Sequence, residues 1–495
     1  MKLLNRTTRR ALAFMFLSVA LCAVNTSNIM AQQETPPPPA APRSPQIPKP
    51  AEKTLANGLR VIVIERMGVP LVAASFVVKN GGEVDPAQLA GVADITATLL
   101  TKGTDKRTAP QIAEAIEALG GALESGARWD ASTASVNVMS SRFAPAMEIL
   151  AEVVRQPTFK EEEIERLRQQ YLDDLTVALG QPGAIARFVA QRVVFGDTPY
   201  GHPLSGTPQS IVAIRRDDIV RMHQTYYRPD NAMLVIGGDI KAEEAFKLAE
   251  RLFGDWKKPA APLPAASAMA KKDANMNSKP RIVVIDKPDA GQAAVMVARP
   301  GIRRTDEDYY RGIVANSVLS GYSGRLNQEI RIKRGLSYGA GSQLDVRRDV
   351  GPFVASAQTK NESGAEVASL LAGELGRLAG SPLPDTELVP RKAVVIGGFG
   401  RNLETASGLV NQIASLALYG LSLGEINSFI NSVQGVTAAD VQRFAGNRLD
   451  AKGANVIIVG NAKEFLPELK KLYADVEVIP VGELDLNSAT LRRKS

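Results

Sequence analysis

The chain has 495 residues, a formal net charge of +7, one cysteine and two histidines. Cys22 lies inside an N-terminal apolar run, so once that run is removed the chain has no thiol for a disulfide, a nucleophile or a metal site. Lys2, Arg6, Arg9 and Arg10 carry four of the positive charges. The rest is about +3, too little to argue for nucleic-acid binding.

The first residues form a secretory signal, residues 1–31. A basic start precedes the apolar run Ala11 to Val24, and small residues near Ala31 offer a cleavage site. The run is too short to span a bilayer, which takes about 20 residues. A periplasmic location follows, with no membrane span. Thr8-Arg9-Arg10 only faintly resembles a twin-arginine signal, so general secretion is expected. Lipid anchoring at Cys22 is a weaker match because Leu21 is large. Residues 32–50 are Pro-rich, with Pro36 to Pro39 in one run, and read as an extended linker. About 445 residues remain, enough for two domains with cores of their own.

The first domain is expected over 51–256. Leu59 to Ile64 and Leu71 to Val78 are strands. Asp85 to Thr104 reads as a helix, with Leu89, Val92, Thr96, Leu99 and Leu100 at helical spacing. Asp85 and Pro86 suit its start and Gly103 its end. Its other face carries Ala90, Asp94, Ala97, Thr98 and Thr101. Side chains so short do not usually meet open solvent, so this face is expected against another part of the protein or a cavity. Gly121 to Glu124 and Ser132 to Met139 form a strand pair. Phe143 to Val154, Lys160 to Ala178 and Arg215 to Tyr226 are helical. Residues 257–280 connect to a second domain over 281–475, and 476–495 are a tail.

The second domain repeats the first. Arg281 to Ile285 and Ala293 to Val297 are strands, and a helix runs from about Asp306 to Leu319. Each domain closes on a strand and an amphipathic helix: Ala232 to Gly237 with the helix of Phe246 and Phe253, and Val456 to Gly460 with that of Phe465 and Leu469. Gly237 and Gly460 are 223 positions apart, Ile62 and Val283 221. Two landmarks at nearly one offset argue for duplication. The fold class is α+β, each domain a mostly antiparallel sheet with helices on one face.

Gly91-Val-Ala-Asp-Ile-Thr-Ala-Thr-Leu-Leu-Thr-Lys-Gly-Thr104 resembles the zinc-binding helix of the insulinase/pitrilysin metallopeptidases, which carries the inverted motif H-x-x-E-H. The frame fits, but the chemistry is missing. Asp94 stands at the first His, Ala97 at the Glu and Thr98 at the second His. A catalytic zinc needs three protein ligands and an open position. Ala97 leaves no base for a metal-bound water. The resemblance places a third ligand at Asp173 or Asp174. His202 and His223 lie outside the motif, and His202, in a family-like loop Pro199 to Thr207, is expected to be structural. No zinc is expected in this chain.

The resemblance covers nearly all of 51–475 and implies two homologous α/β roll domains, half of a clamshell around a peptide cavity. Arg331 and Tyr338, seven apart around Gly335-Leu336, resemble the family's substrate segment. It implies that Tyr338 donates to the scissile carbonyl and that Arg331 holds the peptide backbone, both suited to developing negative charge. The bland alternatives are a packing Tyr at a strand start and a solvated Arg at a helix end. Lys333 and Arg334 read as surface charges. Ser320 to Gly324 offers either close backbone approach or a tight turn. Two functions follow. One is the non-catalytic subunit of a two-chain zinc peptidase, with the peptide substrate bound in trans to a homologous catalytic subunit that carries H-x-x-E-H and the zinc. The other is a degenerate peptidase serving as a peptide-binding or structural assembly subunit.

Overall fold

The computed structural model describes residues 42–264 and 279–493. The signal, residues 32–41 of the first linker and 265–278 of the second lie outside the described residues.

Two six-stranded sheets form the frame. The first holds β1 (Ala51–Thr54), β2 (Arg60–Glu65), β3 (Leu71–Val78), β4 (Ala122–Ala127), β5 (Ser132–Met139) and β6 (Ala232–Gly238), in the order β1-β2-β6-β3-β5-β4. The second holds β7 (Ile282–Asp286), β8 (Ala293–Pro300), β9 (Ala340–Leu344), β10 (Pro352–Thr359), β11 (Asn455–Gly460) and β12 (Val476–Pro480), in the order β12-β7-β11-β8-β10-β9. Five strands match one for one, as duplication requires. The sixth differs. β1 pairs antiparallel to β2, whereas β12 pairs parallel to β7. Residues 476–480, read from the sequence as tail, therefore complete a sheet. Val476 and Val478 supply the β-branched side chains that suit this.

Central strands are buried on both faces. All seven residues of β6 are buried, and it runs parallel to β2 and antiparallel to β3. Each half's own helices cover one face, as expected, and the second face is covered from the other half. The walls are built by α1 (Val92–Leu99), α2 (Phe143–Arg155), α3 (Glu161–Gly180), α4 (Pro182–Phe195), α5 (Ala242–Phe253), α6 (Tyr309–Leu319), α7 (Gly364–Gly380) and α8 (Ala406–Leu418). In the first half α2 and α5 cover one face of the sheet, with Phe143, Met147, Leu150 and Phe253 in the core. The opposite face is covered by α8 of the second half, whose Val410 and Ile413 join Ile62, Ile64 and Val235 in one cluster. Gly237 permits this approach, because a Cβ there would lie 2.9 Å from Val410. Reciprocally, Ile185, Val189 and Val193 of α4 pack on Val283, Ile285, Ile457 and Val459 of the second sheet. α4 and α8 begin 224 positions apart, so they are duplicates that each cross to the other half's sheet.

The expected helix over Asp85 to Thr104 is shorter. A 3₁₀ turn spans Ala87–Leu89, and α1 begins only after Gly91, whose φ of +94° is left-handed. A Cβ on Gly91 would also meet the Gly206 backbone at 3.0 Å. Asp85 still serves as the start signal from a distance. Its carboxylate accepts from Gly91 N at 2.7 Å and Ala93 N at 2.9 Å, capping the first turn. The helix expected from Asp306 starts at Tyr309. The end of the Pro-rich linker docks: Ile47 exchanges two 2.9 Å backbone bonds with the Asn427 side chain. Among the described residues no helix is long and apolar enough to cross a membrane.

Candidate functional site

A cavity of about 1230 Å³ opens between the halves. On one side it meets α4 and the Trp129 and Ser205 loops, on the other β8, β9, β10 and the segment around Tyr338. A side pocket of about 460 Å³ shares Asp94, Phe188 and Ser205 with it and is otherwise bounded by α1 and α3.

The side chains at the zinc-motif positions lie at that junction. Ala97 is fully buried and offers no ligand atom. Asp94 lines both cavities and Thr98 the side pocket. Neither is free. The Tyr171 hydroxyl donates to Asp94 Oδ2 at 2.9 Å and lies 3.2 Å from Thr98 Oγ1. Since the phenol has one proton, the threonine hydroxyl is the donor of the second bond. Ala127 N adds a 3.4 Å contact to Asp94 Oδ1, tying α1 to the end of β4. Burial pushes the Asp94 carboxyl above its ordinary pKa, against the Tyr171 bond, and burial with the Asp94 charge raises Tyr171. A metal would need these oxygens, and the phenol already bridges them. Among the described residues no group of three His, Cys, Asp or Glu is placed to hold an ion. These residues do not fit zinc.

The proposed third ligands diverge. Asp174 lines the side pocket, while Asp173 is exposed and accepts from Gln169 at 2.9 Å. Tyr171, which sequence reasoning missed, is the α3 residue that reaches α1. The signal was there: Tyr171 and Asp174 are three apart, on one helix face. His202 and His223 are structural. His202 is buried against Trp129, its ring nitrogens 3.0 Å from the Pro203 and Gly82 carbonyls. His223 contacts the Val154 carbonyl at 2.8 Å, and burial lowers its pKa to about 4.

Across the cavity Tyr338 is 89% exposed, just before β9. Arg331 sits in a π-helical turn, Gln328–Lys333, over the Tyr322 ring at 5.6 Å, and is not part of the cavity lining. Lys333 and Arg334 both hold Glu329, at 3.0 and 3.1 Å, and their donation keeps that carboxyl below the usual range. A second feature unseen in the sequence joins the halves. Asp130 accepts from the Tyr200 hydroxyl, from Tyr419 at 3.2 Å and from Arg348 N at 2.7 Å. The Arg348 guanidinium bonds Glu83 at 3.1 Å, yet burial outweighs it and lifts Glu83 to about 7. Beside them Arg347 is caged by Trp129 and Tyr200 at 4.5 and 4.8 Å, with one arm on Asp345 at 2.6 Å.

Comparison with known proteins gives two family matches in tandem. Residues 60–207 match the insulinase family (peptidase family M16), and residues 213–393 match the peptidase M16 inactive domain. The chain belongs to the insulinase family, M16. Relatives run nearly end to end with it. An uncharacterized zinc protease of Mycobacterium leprae is 28% identical over 430 residues, covering 85% of this chain and 94% of that protein. The uncharacterized zinc protease YmxG of Bacillus subtilis is 22% identical, covering 79% and 93%. A solved peptidase M16 inactive domain from Pseudomonas fluorescens superposes with a TM-score of 0.76 at 25% identity, covering 83% of this chain and 98% of that one. A protease from Helicobacter pylori shares the fold, with a TM-score of 0.78 at 20% identity, over 84% and 100%. M16 relatives titled zinc proteases thus share a frame with a chain whose motif positions read Asp94, Ala97 and Thr98.

Proposed function

We propose that this M16 chain is the non-catalytic subunit of a two-chain zinc metallopeptidase, exported to the periplasm and paired with a homologous chain that carries H-x-x-E-H. The observation that carries this reading is a contrast within one cavity. Tyr171 closes the zinc-motif face with hydrogen bonds, while the Tyr338 hydroxyl stands open. In the assembled enzyme the partner's zinc would polarise the scissile carbonyl. Tyr338 would donate to the carbonyl oxygen as negative charge grows on it. Arg331 would hold the peptide backbone at the rim, with its charge fixed at any working pH.

Co-expression with the candidate catalytic chain tests the pairing. A stable complex with an interface on the order of 2,000 Å² or more is expected. Two separate monomers at micromolar concentration would count against it. The chain purified alone should hold no stoichiometric zinc and cleave no peptide. One tightly bound zinc per chain, by metal analysis, would refute this.

A second reading is favoured by one specific observation: Asp94 and Tyr338 line the same cavity in a single chain. The chain thus encloses a space for a peptide without help, as a peptide-holding or assembly subunit would. Full activity of Tyr338→Phe in an intact, zinc-loaded complex would favour it.

A further inference from the structure

The lining of the main cavity is rich in amides and nearly free of net charge. Four glutamines, Gln181, Gln292, Gln343 and Gln358, are exposed on its walls, and none donates or accepts a side-chain hydrogen bond with another described residue. Five serines accompany them. The charged residues of the lining are two acids and two bases: Asp94, Asp345, Arg187 and Arg347. Asp345 and Arg347 neutralise one another at 2.6 Å, and Asp94 is engaged by Tyr171. Arg187 and Asp94 have no ion-pair partner among the described residues, and their formal charges offset one another.

Each glutamine offers two N–H donors and a carbonyl acceptor, the same pair of groups that a peptide bond presents. β9 adds backbone: it is the last strand of its sheet, so its outer edge has no partner strand, and it runs along the cavity directly after Tyr338. Such a wall pays little to release water and re-form bonds to an uncharged amide chain. Beyond Arg187 it offers little compensation to a buried run of charged side chains, whose desolvation goes largely unmatched.

We infer that the cavity selects extended peptide segments that are polar but uncharged, rich in residues such as Gln, Asn, Ser and Gly, and that it binds them through amide hydrogen bonds and not through charge. This deepens the peptide-cavity reading above and rests on it. Two consequences separate it from charge-driven recognition. Affinity should hardly change with ionic strength, because few ion pairs are there to screen. It should also fall for peptides of either sign.

The experiment uses the mature full-length chain and three fluorescein-labelled, end-capped peptides of 14 residues with net charges of about −4, 0 and +4 on a Gln/Ser/Gly background. Anisotropy is read at about 50 and 500 mM NaCl, ionic strengths that span strong and weak screening. The neutral peptide should bind at least about tenfold tighter than either charged one, with less than about a twofold change between salts. The double variant Gln292→Glu/Gln343→Glu should shift preference to the basic peptide and create salt dependence, which places the selection at these side chains. If that variant does not fold, the wild-type comparison still decides. Tighter binding of a charged peptide, or a salt effect above about tenfold on the neutral one, overturns this inference and leaves the peptide cavity standing. Binding of none of the three overturns both, as does preference for a neutral oligosaccharide of similar length.

Discussion

The two walls of the cavity descend from one duplicated plan and have taken opposite characters. On the first-half wall the groups around Asp94 are spoken for, while Gln181 and Arg187 stay open. Asp94, Thr98 and Tyr171 bond one another, and Ala97 is buried. The second-half wall leaves groups open. Tyr338 is 89% exposed, and Gln343 and Gln358 have no side-chain partners among the described residues. A polar group already satisfied inside a protein gains little from a ligand, whereas an open one can be completed by it. The difference teaches that neighbouring polar groups on one wall can satisfy one another while those opposite stay open. The oxygens of Asp94 and Thr98 serve here as a structural clamp through Tyr171.

The largest expected effect tests the open wall. In the assembled complex Tyr338→Phe should lower kcat by about 10²–10³, the usual loss for one oxyanion donor, with zinc content unchanged. Arg331→Ala should raise KM as well. Steady-state kinetics on a fluorogenic peptide, with complex mass checked, read both. An unchanged kcat would erase the functional difference between the walls.

The next effect concerns the junction holding the walls together. Glu83 is lifted to about 7 by burial, above its ordinary value of 4.5. The folded chain then holds a proton that the unfolded chain has released, so this group's contribution to stability falls as pH rises from about 4.5 to about 7 and stays low above. The change is on the order of 3 kcal/mol. Chemical denaturation across this range should show the slope, and Glu83→Gln should remove that part of it. An unaltered slope in Glu83→Gln would place the titration elsewhere.

A smaller effect tests the closed wall. Tyr171→Phe strips Asp94 and Thr98 of their shared partner and should cost about 1–2 kcal/mol of stability by denaturant melts. It should also raise the Asp94 pKa further, because the donation that opposes burial is gone. Activity of the complex should stay near wild type. A variant as stable as the parent would mean that the clamp contributes nothing.

Lys333→Ala is the smallest. Its ammonium is exposed and shares Glu329 with Arg334, so stability should move by less than about 0.5 kcal/mol and kinetics should not move. A large kinetic loss would extend the substrate surface beyond Tyr338.

Much of this was legible from local pattern. The repeat offset between Gly237 and Gly460 revealed two halves, because each closing strand is a continuous apolar run followed by an amphipathic helix. Asp94, Ala97 and Thr98 were legible as short side chains sharing one helix face, since spacing along a helix sets the face. Gly91 was read through as ordinary helix. A left-handed φ is not written in the residue name, nor is the close approach to Gly206, more than a hundred positions on.

What the sequence determined by itself was the kind of the strongly patterned elements, the duplication, and the short side chains on one face of the Asp94 helix. All three follow from side-chain type and spacing along a few turns. What only the tertiary structure decided was who meets whom at long range. Helices α4 and α8 crossing to each other's sheets, Tyr171 bridging Asp94 and Thr98, Asp130 gathering Tyr200, Tyr419 and Arg348, and four glutamines converging on one cavity are all contacts between distant positions. No local periodicity encodes them. They emerge when two sheets, each apolar on both faces, bury their second faces against each other's helices, and the side chains left between the halves must satisfy one another or remain open to a ligand.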